Sequence, residues 1–309
     1  MSEHLLEMAK ARIRVKDGKI EVLSDPGISF CPLRRDLYGI AEESRESVER
    51  VLEIHMQEMG MYGPARALEL EAKPVSFGAS EILSDGMVEG LVDAAVLVCE
   101  GAGSVIVSRP DVLQAIGGHM TGLVSTEPIA EIQNGLEARG CILLDRRAGV
   151  DQLAAFKKAV ENGFEKIALT LTGENARCAA DLREREEELG ARAMILAVHN
   201  TGISEGQAEI LAESCDLVWS CASRAVREVA GRKAVLQMGI SIPVFAFTLA
   251  GKRLLLNRAL HFKAPLVMHR AALPLAPEDK QPSPCLLYTS DDADDQHCLD
   301  LGGRRSITK

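Results

Sequence analysis

Two short segments of the 309-residue chain carry the residue types that do chemistry: AVHNTGIS at 197–204 and SCASR at 220–224. His199 follows an apolar run and opens HNTG. Imidazole titrates near neutrality, which suits a general acid or base. A loop histidine bonded to backbone is an equally good reading. Cys221 stands just ahead of a predicted helix start, where the macrodipole lowers a thiol pKa, and is a candidate nucleophile or metal ligand. A buried, inert thiol is the plainer alternative. Thr201, Gly202 and Ser223 flank these two residues and complete a candidate site for an anionic ligand near helix N-termini.

A third stretch, VLVCEGAGSVIV at 96–107, ends an apolar run in an acid and two glycines. A dinucleotide-binding turn needs G-x-G-x-x-G running straight into a helix. Here the third glycine is missing, β-branched VIVS follows, and a helix starts only at Pro110. The stretch therefore reads as strand, tight turn, strand, with the glycines serving backbone geometry. Glu100, Gly101 and Gly103 stay candidate ligand-binding residues because they sit at a strand end. No G-K-[ST] sequence occurs.

The elements that must position these residues follow from apolar periodicity. RIRVKDGKIEVL alternates on both sides of Asp17-Gly18, a hairpin signal. In EESRESVERVLEIHMQEMG, the residues Val48, Val51, Leu52, His55, Met56 and Met59 share one helical face. His55 there reads as a core histidine. From residue 74 the pattern becomes α/β, with PVSF a short strand, SEILSDGMVEGL a helix and DAAVLVC a strand. Strand centres then fall at Leu143, Leu169, Leu196, Val218, Phe245 and Val267, spaced 22 to 27 residues apart with one helix in each gap. One of those helices is SRAVREVAGRKAVLQMG. Unbroken apolar strands at this pitch predict a mostly parallel sheet with helices on both faces, Rossmann-like. The expected organisation is an N-terminal β-hairpin and helix region over 1–73, an α/β domain over 74–275 and a disordered tail over 276–309. Ligands of such a sheet bind beyond the carboxyl ends of its strands.

Composition narrows the classes. At 47% hydrophobic and 26% charged the chain is an ordinary globular protein. No signal peptide and no membrane span can be read, so cytoplasmic location is expected. Cys31, Cys99, Cys141, Cys178, Cys215 and Cys221 form no C-x-x-C pair, which argues against a structural zinc site. Cys31, Cys99 and Cys221 could meet only through the fold, as a three-thiolate metal or iron–sulfur site. The residues name no cofactor. Residues 285–309 resemble translated sequencing-adaptor read-through, carried by CLLYTSD and DLGGRR, so Cys285, His297 and Cys298 are set aside.

FCPL, SFGASEIL, VDAAVLVCEGAGSVIVSRPDVLQAIGGHMTG, AVHNTGIS, SCASRAVRE and GISIPVFAFTLAGKRLLLNRA, in this order, resemble the methanogenesis marker protein 8 family, a domain of unknown function. The resemblance spans roughly residues 10 to 270. It implies a cytoplasmic protein of methane-producing archaea and their relatives, with protein partners in methanogenesis, and it implies no catalytic role for any residue. Three readings follow. The first is an accessory or maturation enzyme acting on a small anionic ligand at the strand ends. The second is a metal or iron–sulfur handling protein. The third is a non-catalytic assembly factor.

A formal net charge of −10, with 45 acids against 35 bases and no dense basic cluster, argues against a polyanion-binding face. The chain should leave the fluorescence anisotropy of labelled duplex DNA or RNA unchanged at physiological salt. Binding that steepens as salt falls would reveal a basic face that composition hides.

Overall fold

The computed structural model describes residues 2–119 and 122–285. The chain opens with strands β1 (Glu3–Met8), β2 (Ala11–Lys16) and β3 (Lys19–Val22), paired antiparallel in sequence order. The turns are Ala9-Lys10 and Asp17-Gly18, all four residues in the left-handed region that such tight reversals require. Strand β4 (Ile28–Phe30) leads into helix α1 (Pro32–Tyr38) and then α2 (Arg45–Met59). Ser44 caps α2 reciprocally with Ser47. The inward face of the β1–β2 ladder, Leu6, Met8, Ile13 and Val15, packs on Val48, Val51 and Leu52 of α2.

Helix α3 (Ala79–Val88) precedes a hairpin of β5 (Ala94–Cys99) and β6 (Gly103–Val107), followed by α4 (Pro110–Gly117). The next strand, β7 (Gly122–Thr126), leaves this part of the chain and pairs antiparallel with β1, which closes the small sheet in the order β3-β2-β1-β7. Then come α5 (Ala130–Ala138), β8 (Ile142–Leu143), α6 (Gln152–Glu161), β9 (Ile167–Thr172), α7 (Ala176–Leu189), β10 (Ala193–Val198), α8 (Glu205–Ser214) and β11 (Leu217–Trp219). A π-helical turn at Val226–Ala230 runs into α9 (Gly231–Lys233), β12 (Leu236–Met238), β13 (Val244–Ala246) and α10 (Leu249–His261).

The large sheet has the order β12-β13-β11-β10-β9-β5-β6-β8. Strands β12, β11, β10, β9, β5 and β8 run one way, and β13 and β6 the other. The sheet is thus mostly parallel. Both faces are apolar, as a doubly covered sheet requires. Leu97, Leu196 and Leu217 pack under α3, α4, α5 and α10, while Val96, Leu169, Ile195 and Val218 pack under α6, α7 and α8. Beneath the sheet edge, buried Asp216 ties three elements. It accepts from the Ile195 N–H at 2.8 Å, from Arg183 at 2.7 Å and from the Thr248 hydroxyl that caps α10.

Several local expectations give way to other structure. PVSF makes no strand, because the carbonyls of Ser76 and Phe77 instead accept side-chain donors from Arg258 and Trp219. SRAVREVAGRKAVLQMG is not one helix. Within its apolar end, AVLQM, the residues LQM form β12 and pair with β13, which is antiparallel to both of its neighbours. That edge being filled, Val267 finds no ladder to join and is 90% exposed in an irregular stretch. Residues 276–285, grouped with the tail on composition, fold back. Strand β14 (Ser283–Pro284) pairs with β4, Gln281 is buried, and the Cys285 N–H donates to the Gly27 carbonyl at 3.0 Å. Residues 286–309 lie outside the described residues. Among the described residues no helix is long and apolar enough to cross a membrane.

Gly103 shows why the β5–β6 turn needs its glycines. Its φ is +73°, and a Cβ there would collide with the backbone of Ala148 and Gly149. Gly140 has φ +79° but nothing within 4 Å of that position. Gly103→Ala should therefore cost more than ~2 kcal/mol in urea denaturation, against ~1–2 kcal/mol for Gly140→Ala, which meets only the left-handed backbone penalty. Equal losses would show that the turn can open to accept a methyl group.

Candidate functional site at the strand ends

Strands β10 and β11 are parallel neighbours, with Leu196 opposite Leu217, so the residues just past their ends fall together. His199 and Cys221 are the first and second residues beyond these strands. Both have left-handed backbones, φ 58° and 46°. That region is uncommon for any residue but glycine, though histidine enters it more readily than cysteine, and such strain collects where surrounding structure over-determines a site. Asn200, fully buried, staples the pair of strands by donating its amide to the carbonyls of Ala197 (2.9 Å) and Trp219 (2.7 Å). Thr201 Oγ1 lies 3.4 Å from the Ala222 N–H that points to it.

The small sheet covers these ends. From the face of β1 opposite its apolar one, Glu7 Oε1 meets His199 Nε2 at 2.8 Å. Lys10, at the β1–β2 turn, pairs with Glu7 at 3.2 Å and with Glu174, beyond β9, at 2.6 Å. Gly122 of β7 lies against the His199 ring, and Gly202 against the Lys10 side chain. A carboxylate on one imidazole nitrogen fixes the tautomer and leaves Nδ1 for other work. Burial acts to raise the Glu7 carboxyl, but the His199 hydrogen bond and charge together with Lys10 outweigh it and hold the group below the ordinary range.

The Cys221 sulfur faces the N–H groups of His199 and Asn200, yet burial dominates and pushes the thiol up to about 11, with the Cys31 thiol adding to the rise. The expectation of a thiol activated by a helix start is therefore not met: helical backbone resumes at Arg224, but burial outweighs what that helix end contributes. Ser223 is buried rather than exposed, and its hydroxyl accepts from the Val226 N–H at 3.1 Å. Sequence reasoning missed Arg227, one residue into the π-turn that begins at Val226. It is half-buried, its guanidinium reaches the Cys221 carbonyl at 3.5 Å, and it makes no ion pair among the described residues. Burial pulls its pKa down. Its place in an apparent helix face hid it, and so did the position of Glu7 and Lys10 in a remote hairpin.

The β5–β6 turn stands apart. The Gly101 N–H donates to Thr126 Oγ1 at 2.7 Å, which in turn meets His4 Nδ1 at 2.6 Å. Glu100 accepts from Arg66 Nε at 2.6 Å. Glu100, Gly101 and Gly103 are thus each engaged by protein groups. Two strands, β9 and β10, separate β5 from β11, so Cys99 and Cys221 end strands ~14 Å apart at ordinary strand spacing. The three-thiolate arrangement of Cys31, Cys99 and Cys221 does not form. Among the described residues no group of three or more His, Cys, Asp or Glu could hold a metal ion.

The Glu7 contacts make a pH prediction. A carboxyl depressed in the fold stabilises it above its unfolded pKa of ~4.3, and that contribution disappears as pH falls through the lower folded value. At pH 7, Glu7→Gln should lose about 1–3 kcal/mol in urea denaturation. Below pH 4 wild type and variant should converge. Parallel curves across this range would show that Glu7 carries no such coupling.

Comparison with known proteins places the chain. Over 289 residues, 93% of this chain and 100% of the relative, it is 35% identical to the uncharacterized protein MJ0054 of Methanocaldococcus jannaschii. With residues 4–260 matched as well, the chain belongs to the family described as "Uncharacterized protein conserved in archaea (DUF2099)".

Proposed function

We propose that this protein is a cytoplasmic accessory or maturation enzyme linked to methanogenesis, and that it binds a small anionic ligand at the ends of β10 and β11. The link to methanogenesis rests on the resemblance to methanogenesis marker protein 8. The binding reading rests on Arg227. Glu228 and Glu278 act on this half-buried guanidinium only at a distance and no carboxylate pairs with it directly, so its charge is incompletely compensated and an anion completes it. Thr201 supplies a hydroxyl at the Ala222 N–H of the neighbouring loop. His199, oriented by Glu7, is the acid–base group, and Cys221 serves as a neutral thiol in the lining. A Rossmann-like domain takes its ligand at the strand ends, where these groups lie.

A second reading, an assembly factor with a protein partner, draws on a different observation. Leu260, Val267 and Met268 are 84%, 90% and 70% exposed. With Leu91, Leu256 and Leu266 they border or neighbour an apolar groove of about 650 Å³ beside α10. Clustered exposed apolar residues mark interaction surfaces.

A thermal-shift screen against phosphates, nucleotides and methanogenic coenzymes separates the two. A bound anion at a hundred times its Kd stabilises the fold by ~2.7 kcal/mol. Arg227→Gln and Thr201→Ala should abolish that shift while moving the unliganded midpoint little. Asn tolerates left-handed backbone, so His199→Asn should keep the fold and remove only the imidazole. A shift that survives both Arg227→Gln and Thr201→Ala would end the ligand reading.

A further inference from the structure

A second set of groups lies away from the strand ends, where α1, α2 and the chain beyond α4 meet. Arg34 and Tyr38 are four residues apart on α1 and share a face. The Tyr38 hydroxyl contacts His55 Nε2 at 2.9 Å, which docks that face onto α2. His119 stands edge-on to His55, with ring centroids 5.2 Å apart and an interplanar angle of 83°. Arg34 Nε donates to Glu43 Oε1 at 2.5 Å, and Ser47 donates to the other Glu43 oxygen at 2.8 Å.

These bonds leave three atoms over. Arg34 Nη2, His55 Nδ1 and His119 Nδ1 are all buried and have no hydrogen-bond partner. His55 is 2% and Arg34 9% exposed. A buried polar atom left unpaired costs ~1–3 kcal/mol, so three in one small region call for an occupant. Burial drives the His55 imidazole down to about 3, with His119, Arg34 and Arg66 adding to the fall, and lowers His119 as well. Both rings are therefore neutral. In the tautomer whose Nε2 accepts from the Tyr38 hydroxyl, a neutral His55 carries its proton on Nδ1. The unpaired guanidinium nitrogen and this N–H are both donors, and what they lack is an acceptor. Two imidazoles with no third ligand among the described residues do not make a metal site.

We infer that Arg34, His55 and His119 form a buried site for a small oxyanion, a carboxylate or phosphate group held by the Arg34 guanidinium and the two imidazoles. It is separate from the Arg227 site and does not depend on it. The test measures thermal midpoints of the full chain with inorganic phosphate and, in a separate arm, acetate at millimolar concentration. Arg34→Lys keeps the charge that Glu43 needs but loses the planar fork. His119→Gln removes a ring from a half-buried position, and remains decisive if Arg34→Lys does not fold. The expected result is a rise of a few degrees with at least one anion, in wild type and in Arg227→Gln, that is absent from Arg34→Lys and His119→Gln. The responding arm identifies the source as phosphate or carboxylate. No rise with either anion would mean that the three atoms are satisfied by water alone, and the inference falls. It falls equally if the rise persists in both variants, or if only Arg227→Gln removes it, since the anion then sits elsewhere.

Discussion

The ion pair of Arg66 and Glu100 is the constraint on which the rest of the structure leans. The Arg66 side chain has no exposed surface. Its Nε donates to Glu100 at 2.6 Å, Nη1 to the Ala67 carbonyl at 2.7 Å and Nη2 to the Ala115 carbonyl at 2.8 Å. Those contacts tie the segment after α2, the turn of the β5–β6 hairpin and the last turn of α4 into one joint. A guanidinium can be buried this deeply only because every face is met, and removing one partner from such a pair costs ~3–5 kcal/mol. The same cation adds to the burial that lowers His55 and His119, while Glu100 partly opposes the burial that lowers His4. One pair therefore conditions the protonation of three of the seven histidines.

Around this joint the small N-terminal sheet has two jobs. Its inward face builds a core with α2. Its opposite face lays Glu7 on His199 and reaches Lys10 across to Glu174, so it roofs the ends of β9 and β10. Crevices at the ends of parallel strands are usually walled by the loops of the sheet itself. Here the wall comes from residues 192 positions away in the chain, as the Glu7–His199 contact shows. The left-handed His199 lies directly under that roof, with Glu7 and Gly122 of the small sheet against its ring.

The mostly parallel sheet was legible because its strands are short unbroken apolar runs with amphipathic helices between them. Leu169, Leu196 and Val218 sit in β9, β10 and β11 for that reason. Periodicity could not tell AVLQM as the end of a helix from a strand, because a run of five apolar-rich residues satisfies both patterns. Only the free edge beside β13 decided it. Val267 failed for the converse reason, an apolar run with no edge to join. At the candidate site, HNTG and SCASR were visible as strand-end loops. Arg227 was not, since one arginine on a helix face carries no signal until burial removes its counter-ions. Arg34 and Arg66 were hidden in the same way. His55 was read as a core histidine from helical spacing, and spacing cannot report that one of its nitrogens lacks a partner.

The pairing of β1 with β7 also orders events in time. Residues 3–8 leave the ribosome well before the strand that completes their sheet, which ends at Thr126. At 5–20 residues per second, β1 waits roughly 6 to 24 seconds for its second neighbour. During that interval β2 and β3 cover one edge of β1 and the other stays open, with His4 lacking the Thr126 hydroxyl and Glu7 lacking His199 for longer still. A strand made before its partners is thus finished only after them. A nascent chain halted before residue 122 holds an unpaired strand edge of the kind that chaperones and aggregation compete for.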